Sequence, residues 1–456
     1  MPVVPTGSFR WHALLICVFA FFWTVAAAAD EPAPPQVTLK EAIRIAVTTH
    51  PLVQAAREDL AVFQARLLGA NTAWLPKLQG KGLLSVTPAK TGNAIEGGTH
   101  YDDWGPYYSL EFSGILPLYT FGKIRNLKAM AQSGISVGEA QVQIARSHIE
   151  SLVVEAWEGY VYTKALMELI EDGQQYMDRA RRYLEDLRDK DDEAYDDVDM
   201  LKLRVYESEV ESRRLEAEQA RDTAIAALEW LTGQPEQALL VGAQKPFSVT
   251  LKSRDEYDAL ALSQRGEMRA LKAAEKAQGR RIALEASQFF PSFFLGGYYK
   301  YARAHAVEQQ ASPFAYDPYN SWFAGLGLGM EWNFDAGTRI ASLDEQKAVR
   351  RKLAAQVKVL RQRIQLDVQR ALGEAQRAEK KIALDERAVR AARGWMIAKL
   401  DLYESGFADF RDMKESLAEY FLRRISYCES VYRFNVAIAR LAQACGVPLE
   451  SLVEPL

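Results

Sequence analysis

The sequence predicts a mainly α-helical protein with a small β part, made of long antiparallel helical hairpins and laid out twice along the chain. Three observations predict it. Two stretches, from about 123 to 188 and from 338 to 404, contain no proline and would each make a helix of roughly 100 Å at 1.5 Å per residue. Four shorter segments alternate apolar or small residues with polar ones at the period of two that marks a half-buried strand. Motifs in the first half recur in the second at a nearly constant distance, which is the signature of an internal repeat.

The repeat is read from three matches. Ala73-Trp74-Leu75-Pro76 falls 215 residues before Gln288-Phe289-Phe290-Pro291, and Phe121-Gly122 the same distance before Ala336-Gly337. Asp199-Met200 precedes Asp412-Met413 by 213, so a length change of two residues lies between. On this frame the first repeat covers 30–235 and the second 265–456, with 236–264 as a linker.

Each repeat has the same parts. Thr38-Leu39-Lys40-Glu41 has the form of a capping box, in which the Thr hydroxyl and the Glu carboxylate each satisfy a free backbone N–H at a helix start. A helix is predicted from Pro51 to Trp74, and its counterpart from Glu267 to Gln288. β-hairpins follow at 77–118 and 292–334. In the first, Leu78, Gly80, Gly82, Leu84 and Val86 share one parity, interrupted on the other parity by Leu83. In the second, Trp322, Ala324, Leu326, Leu328, Met330, Trp332 and Phe334 alternate with Gly325, Gly327 and Gly329. Segments 87–105 and 302–321, rich in Gly, Pro, Asp and Tyr, are predicted as the joining loops. The strand around Phe112 runs one residue out of step with the repeat, and Gly114 is the predicted bulge that absorbs the slip.

The long helices come next, at 123–188 and 338–404. In the second, Val349, Leu353, Val357, Leu360, Ile364, Val368, Ala371 and Ala375 are spaced by three or four, a narrow apolar stripe suited to packing along a neighbouring helix. Turns at 190–195 and at Ser405-Gly406 lead into return helices at 196–232 and 409–445, each followed by the glycine that helix ends favour. A return helix plus an opening helix spans about the same length as the long helix beside them, so two short helices stacked end to end make a straight wall against one long one.

Composition narrows the function classes. Among 456 residues, 48% are hydrophobic, and 56 basic against 60 acidic residues leave a net charge of −4, so there is no global basic field for nucleic acid. Residues 1–29 read as a cleavable secretory signal: Arg10 precedes an apolar run from Ala13 to Val25, and Ala27-Ala28-Ala29 supplies small residues for cleavage. Cys17 lies inside that segment. Cys428 and Cys445, 17 residues apart on one predicted helix, sit roughly 25 Å apart along it and cannot pair within it. Histidines 50, 100, 148 and 305 show no ligand spacing, and no metal, cofactor or catalytic motif is predicted.

In order along the chain, Thr38-Leu39-Lys40-Glu41-Ala42, the helix end Leu75-Pro76, the strand exit Pro117-Leu118-Tyr119-Thr120-Phe121-Gly122-Lys123, and Tyr403-Glu404-Ser405-Gly406 followed by Asp412-Met413 resemble the TolC-like outer membrane efflux protein family. The resemblance implies an outer-membrane homotrimer extending into the periplasm, with four strands per subunit closing a twelve-stranded β-barrel and the helices forming an α-helical barrel. It implies an exit channel for a tripartite efflux pump or type I secretion system, working with a periplasmic adaptor and an inner-membrane pump or ABC transporter. The chemistry agrees about assembly, because four strands leave open edges that lipid cannot satisfy. A periplasmic helical scaffold or adaptor-like protein is the alternative; it would not need two hairpins with a greasy face.

Carried onto this chain, the resemblance makes Asp412 and Glu415 a ring of carboxylates at the closed periplasmic aperture, with Asp199 and Tyr403 helping to hold it shut. Three apart, Asp412 and Glu415 share a helix face. The hairpin tips at Glu193 and Gly406 would meet the adaptor. The chain departs from the family pattern at Ala408, where latched members can carry arginine, and at Glu193, which replaces a glycine. Nine acids crowd 185–199, and most of them read as a solvated turn whose charges suit the start of the returning helix. Trp322, Trp332 and Tyr299 are the predicted membrane-interface aromatics, facing lipid headgroups.

Overall fold

The computed structural model describes residues 37–93, 95–192, 195–310, 312, 314–405 and 410–454. The signal segment, Glu193, Gly406 and Ala408 lie outside the described residues. Helix α1, Leu39–Thr49, starts at Thr38, whose hydroxyl accepts from the Glu41 N–H, but the Glu41 carboxylate turns to Arg44 at 2.8 Å. The predicted capping box at Thr38 is therefore only half formed. His50 ends α1 and caps α2, Pro51–Asn71, its Nδ1 accepting from the Leu52 N–H, with proline at the first turn where no N–H is needed. Helix α2 stops three residues short of Trp74, and Thr72 closes it through a bond to the Leu68 carbonyl.

Two strands follow, β1 at Lys77–Gly92 and β2 at Gly97–Tyr119, and after the first helical hairpin come β3 at Ser292–Ala304 and β4 at Ser321–Glu331. They form one antiparallel sheet in the order β1-β2-β3-β4. The segment predicted as a loop at 87–105 is mostly strand, because the hairpin keeps pairing out to Gly92 and Gly97. Gly114 is not a bulge: it pairs regularly with Leu78 and Gly297. The register slips instead between Pro117 and Tyr119, where proline has no N–H to give the ladder, and again between Pro88 and Ala89. Strand β4 ends at Glu331, three residues before the predicted end.

Long helices α3, Lys123–Asp189, and α7, Ala336–Glu404, have 67 and 69 residues. The return helices are α4, Asp197–Thr232, and α8, Phe410–Cys445, and the opening helix of the second half is α6, Gly266–Ser287. Helix α3 packs against α2 along one part of its length and α4 along another, while α7 does the same with α6 and α8. Close fits seat the pairs: Phe63 lies over Gly134 and Leu60 over Gly138, where a Cβ would reach only 2.9 to 3.0 Å from those side chains. Within the α7 stripe Ile364, Val368 and Ala375 are fully buried.

The 236–264 segment holds an unanticipated helix, α5, Arg254–Gln264, begun by a complete capping box of Ser253 and Glu256. It makes the two halves alike: the starts of α1, α2 and β1 at 39, 51 and 77 precede those of α5, α6 and β3 at 254, 266 and 292 by 215 residues each. The apolar core lies at this level. Val53, Ile149, Val153, Val154 and Ile438 form one buried cluster, and Tyr257, Ala261, Met268, Ile364 and Leu441 a second. The chain between α4 and α5 straps across it. Asn435 accepts from the Phe247 N–H and donates to the Lys245 carbonyl and to Glu158, a carboxyl only 5% exposed. Burial pushes Glu158 up to about 7, opposed by the Asn435 hydrogen bond. Among the described residues no helix is long and apolar enough to cross a membrane.

Candidate functional site

The acidic first tip is organised by ordinary helix-end chemistry. Helix α3 ends with the Asp192 N–H reaching the Leu187 carbonyl and the Asp191 N–H the Arg188 carbonyl, a Schellman closure with Asp191 in the left-handed position usually held by glycine. Asp196 caps α4 by accepting from the Val198 N–H at 2.8 Å, and Asp197 and Asp199 occupy its first turn, where the helix dipole favours negative charge. Asp186 and Asp189 pair with Lys190 and Arg188.

Asp199 and Asp412 sit at equivalent places, each the third residue of its return helix as described. Asp199 pairs with Lys202 at 2.8 Å on its own helix. Asp412 pairs across the second hairpin with Lys399 at 2.5 Å, joining α7 to α8. Glu415, one turn on, is exposed and makes no ion pair among the described residues. The structure thus brings Asp412 and Glu415 onto one helix face and gives Asp412 a cation that sequence reasoning missed. The signal was there: folding the chain about Ser405-Gly406 sets residue 399 opposite residue 412.

Tyr403 meets Tyr183 of α3 edge to face, ring centres 5.9 Å apart. Its hydroxyl is pushed well above the usual phenol range, first by burial, then by the Tyr183 hydrogen bond and the negative charge of Asp199. Tyr403 of the second helical hairpin and Asp199 of the first are therefore neighbours. Lys414 lies 4.7 Å over the Tyr206 ring, Phe421 packs on Tyr176, and Arg424 reaches Asp172 at 3.5 Å. These contacts tie α8 to α3 and α4 around a cavity of about 450 Å³ lined by Tyr183, Tyr206, Met396, Tyr403 and Met413 among others.

At the far end the sheet has two unlike faces. Directly opposed residues in an antiparallel pair share a face. The register sets Leu84 with Tyr108, Gly82 with Leu110 and Tyr301, Phe112 with Tyr299 and Ala324, and Leu116 with Leu295 and Leu328. This face is greasy and open: Leu326 and Leu328 are 83% and 81% exposed. The other face carries Gln79, Lys81, Ser109, Glu111, Ser113 and Lys300, with the glycines of β4.

Trp322 stands on the greasy face at the start of β4, opposite Tyr301, while Trp332 lies one residue beyond the end of the strand, its Nε1 donating to the Phe289 carbonyl. Tyr299 lies on the same face two residues in from the Trp322 level, opposite Ala324. The strands reach the helices through an aromatic joint in which Phe121, at φ 47°, stacks on Phe290 at 5.1 Å and Tyr119 meets it edge on.

Comparison with known proteins fits this geometry. Residues 259–447 match the outer membrane efflux protein family. A comparison with curated protein sequences finds no match. Among solved structures, the chain is similar to CusC, in a study of conformational changes accompanying folding and transmembrane channel formation, with TM-score 0.73 and 18% identity over 90% of this chain and 92% of that one. It is similar to the outer membrane protein VceC of Vibrio cholerae, with TM-score 0.70 and 19% identity over 90% and 97%. It is also similar to the open state of the MtrE outer membrane channel of Neisseria gonorrhoeae, with TM-score 0.70 and 17% identity over 91% and 90%. Residues 259–447 thus match the outer membrane efflux protein family, and the backbone shares over about nine tenths of its length the fold of these TolC-like channels.

Proposed function

We propose that this chain is one subunit of an outer-membrane exit channel, three copies of which close their sheets into a twelve-stranded barrel and continue it through the periplasm as a helical duct. The observation that carries the reading is the sheet itself. Its greasy face is exposed, the outer edges of β1 and β4 pair with no further strand among the described residues, and it is mounted on helices roughly 100 Å long. Lipid tolerates such a sheet only when every edge is paired, and four strands are too few to close alone.

On this reading Asp412, Glu415, Asp199 and Tyr403 belong to the periplasmic aperture, and the tips near Glu193 and Gly406 meet an adaptor that couples the duct to an inner-membrane pump or ABC transporter. The Tyr183–Tyr403 and Lys414–Tyr206 contacts hold the second helical hairpin, α7 and α8, against the first, α3 and α4, so they are the bonds an opening movement has to break. The chain acts as a conduit and carries out no chemistry on what passes. Purified protein in a planar bilayer tests the proposal: discrete single-channel steps support it, and a preparation that stays folded in detergent yet never conducts, even after Tyr403→Phe and Lys414→Met loosen the hairpins, overturns it.

A further inference from the structure

The cavity of about 450 Å³ near the hairpin tips is walled by all four helices at that end, with Tyr183 from α3, Tyr206 from α4, Met396 from α7 and Met413 from α8. Space between packed helices is normally filled by side chains, because a void forfeits the contacts its lining could make. A volume of this size, lined mainly by apolar and aromatic side chains with a few polar groups, is instead the form of a small-molecule site. The wall suits an adaptable fit. Met177, Met396 and Met413 are unbranched and polarisable, and the tyrosines offer large apolar rings.

Charge narrows the occupant. Among the described residues the lining includes two cations, Arg179 and Lys414, and no acid. Lys414 lies 4.7 Å over the Tyr206 ring and Arg179 lies 4.4 Å over the Tyr176 ring, all four belonging to the wall, and neither cation makes an ion pair among the described residues. Other basic residues at this end are matched: Arg181 pairs with Glu207, Lys399 with Asp412, and Arg424 with Asp172. A cation resting on a ring keeps its remaining N–H groups for an anion.

We infer that this cavity binds an amphiphilic organic anion, its apolar body among Met396, Met413 and Tyr206 and its acid group at Lys414, with Arg179 adding positive potential. Because the walls belong to both hairpins, the bound molecule bridges them beside the Tyr183–Tyr403 and Lys414–Tyr206 contacts. A ligand that fits only the closed arrangement draws the equilibrium toward it by its difference in affinity between the two states. The consequence for the aperture rests on the channel reading above; the binding itself does not.

Photolabelling of the assembled protein tests both parts, with 4-benzoylbenzoate as the probe and 4-benzoylbenzylamine as a cation of the same shape. Peptide mass spectrometry is expected to place most of the acid's label within 176–183, 203–206, 396–403 and 413–417, and excess 4-phenylbenzoate should remove it. The amine should label these segments about fivefold less, and Lys414→Gln should weaken labelling by the acid about two- to fivefold, the scale of one partly exposed charge. Met413→Trp, which fills the space, should abolish it. In a planar bilayer 4-phenylbenzoate should lengthen the closed intervals of wild type and leave those of Met413→Trp unchanged. Label confined to other segments, or equal labelling of wild type by the amine, overturns the site whatever the variants do. Label in the cavity with no effect on conducting channels overturns the closure, and label in the cavity of a protein that never conducts overturns the channel reading while the site stands.

Discussion

Glu158 shows how one buried group can set a pH dependence. Its carboxyl, held under the strap by Asn435, has its pKa raised from the ordinary 4.5 to about 7 by burial. A raised acid binds its proton more tightly in the folded protein than in the unfolded chain. Its linkage therefore favours folding below about pH 4.5 and is lost as pH rises to about 7, costing on the order of 3 kcal/mol above that. Glu158→Gln keeps the acceptor for Asn435 without the charge, so thermal unfolding followed by circular dichroism should show the variant more stable than wild type at pH 8 and nearly equal at pH 4.5. An equal gain at both pH values would mean that the charge is not the cause. At the aperture, replacing Asp412 by Asn and Glu415 by Gln should lower cation preference and weaken block by trivalent cations, with little change in assembly. Glu415→Gln alone should account for more of that loss than Asp412→Asn alone, because Lys399 already offsets Asp412. If both single variants keep full cation preference and full block, neither residue lines the constriction.

At the scale of elements, the decisive feature is which parity of β4 meets lipid. Arg at Leu326 would put a charge in the apolar band at a cost of roughly 2 to 4 kcal/mol. Arg at Gly327 would enter open space on the lumenal face, since a Cβ at that position would find no side chain or backbone within 4 Å. Heat-resistant assembled barrel on gels should fall sharply for Leu326→Arg and little for Gly327→Arg, and equal loss would count against the register. The alternation that defines this face is legible residue by residue. The bulge is not, because Gly114 looks permissive while the ladder breaks at Pro117, which cannot donate. Helix α5 is legible too, in Ser253 and Glu256 standing 215 residues after Thr38 and Glu41. It is easily passed over because its apolar residues are few and only packing against α7 and α8 buries Tyr257 and Ala261. At the hairpin tips the acids, and even Lys399 opposite Asp412 within one hairpin, can be read from the sequence, but Tyr183, the partner of Tyr403, comes from a distant helix brought close by the fold.

Taken whole, the molecule solves one problem twice. A hairpin of two strands cannot live in lipid and a single 100 Å helix cannot bury its stripe, so each half supplies both and leans on the other. The core gathers where α1, α5 and the strap meet the long helices, leaving the sheet and the tips at opposite ends with faces that one chain does not cover. Those uncovered faces are why the account requires a multimer in a membrane. Native mass measurement of the protein extracted from the outer-membrane fraction tests that requirement most directly. The account predicts a particle of three mature chains that resists dissociation in mild detergent; a monomer recovered from the soluble periplasmic fraction would contradict it.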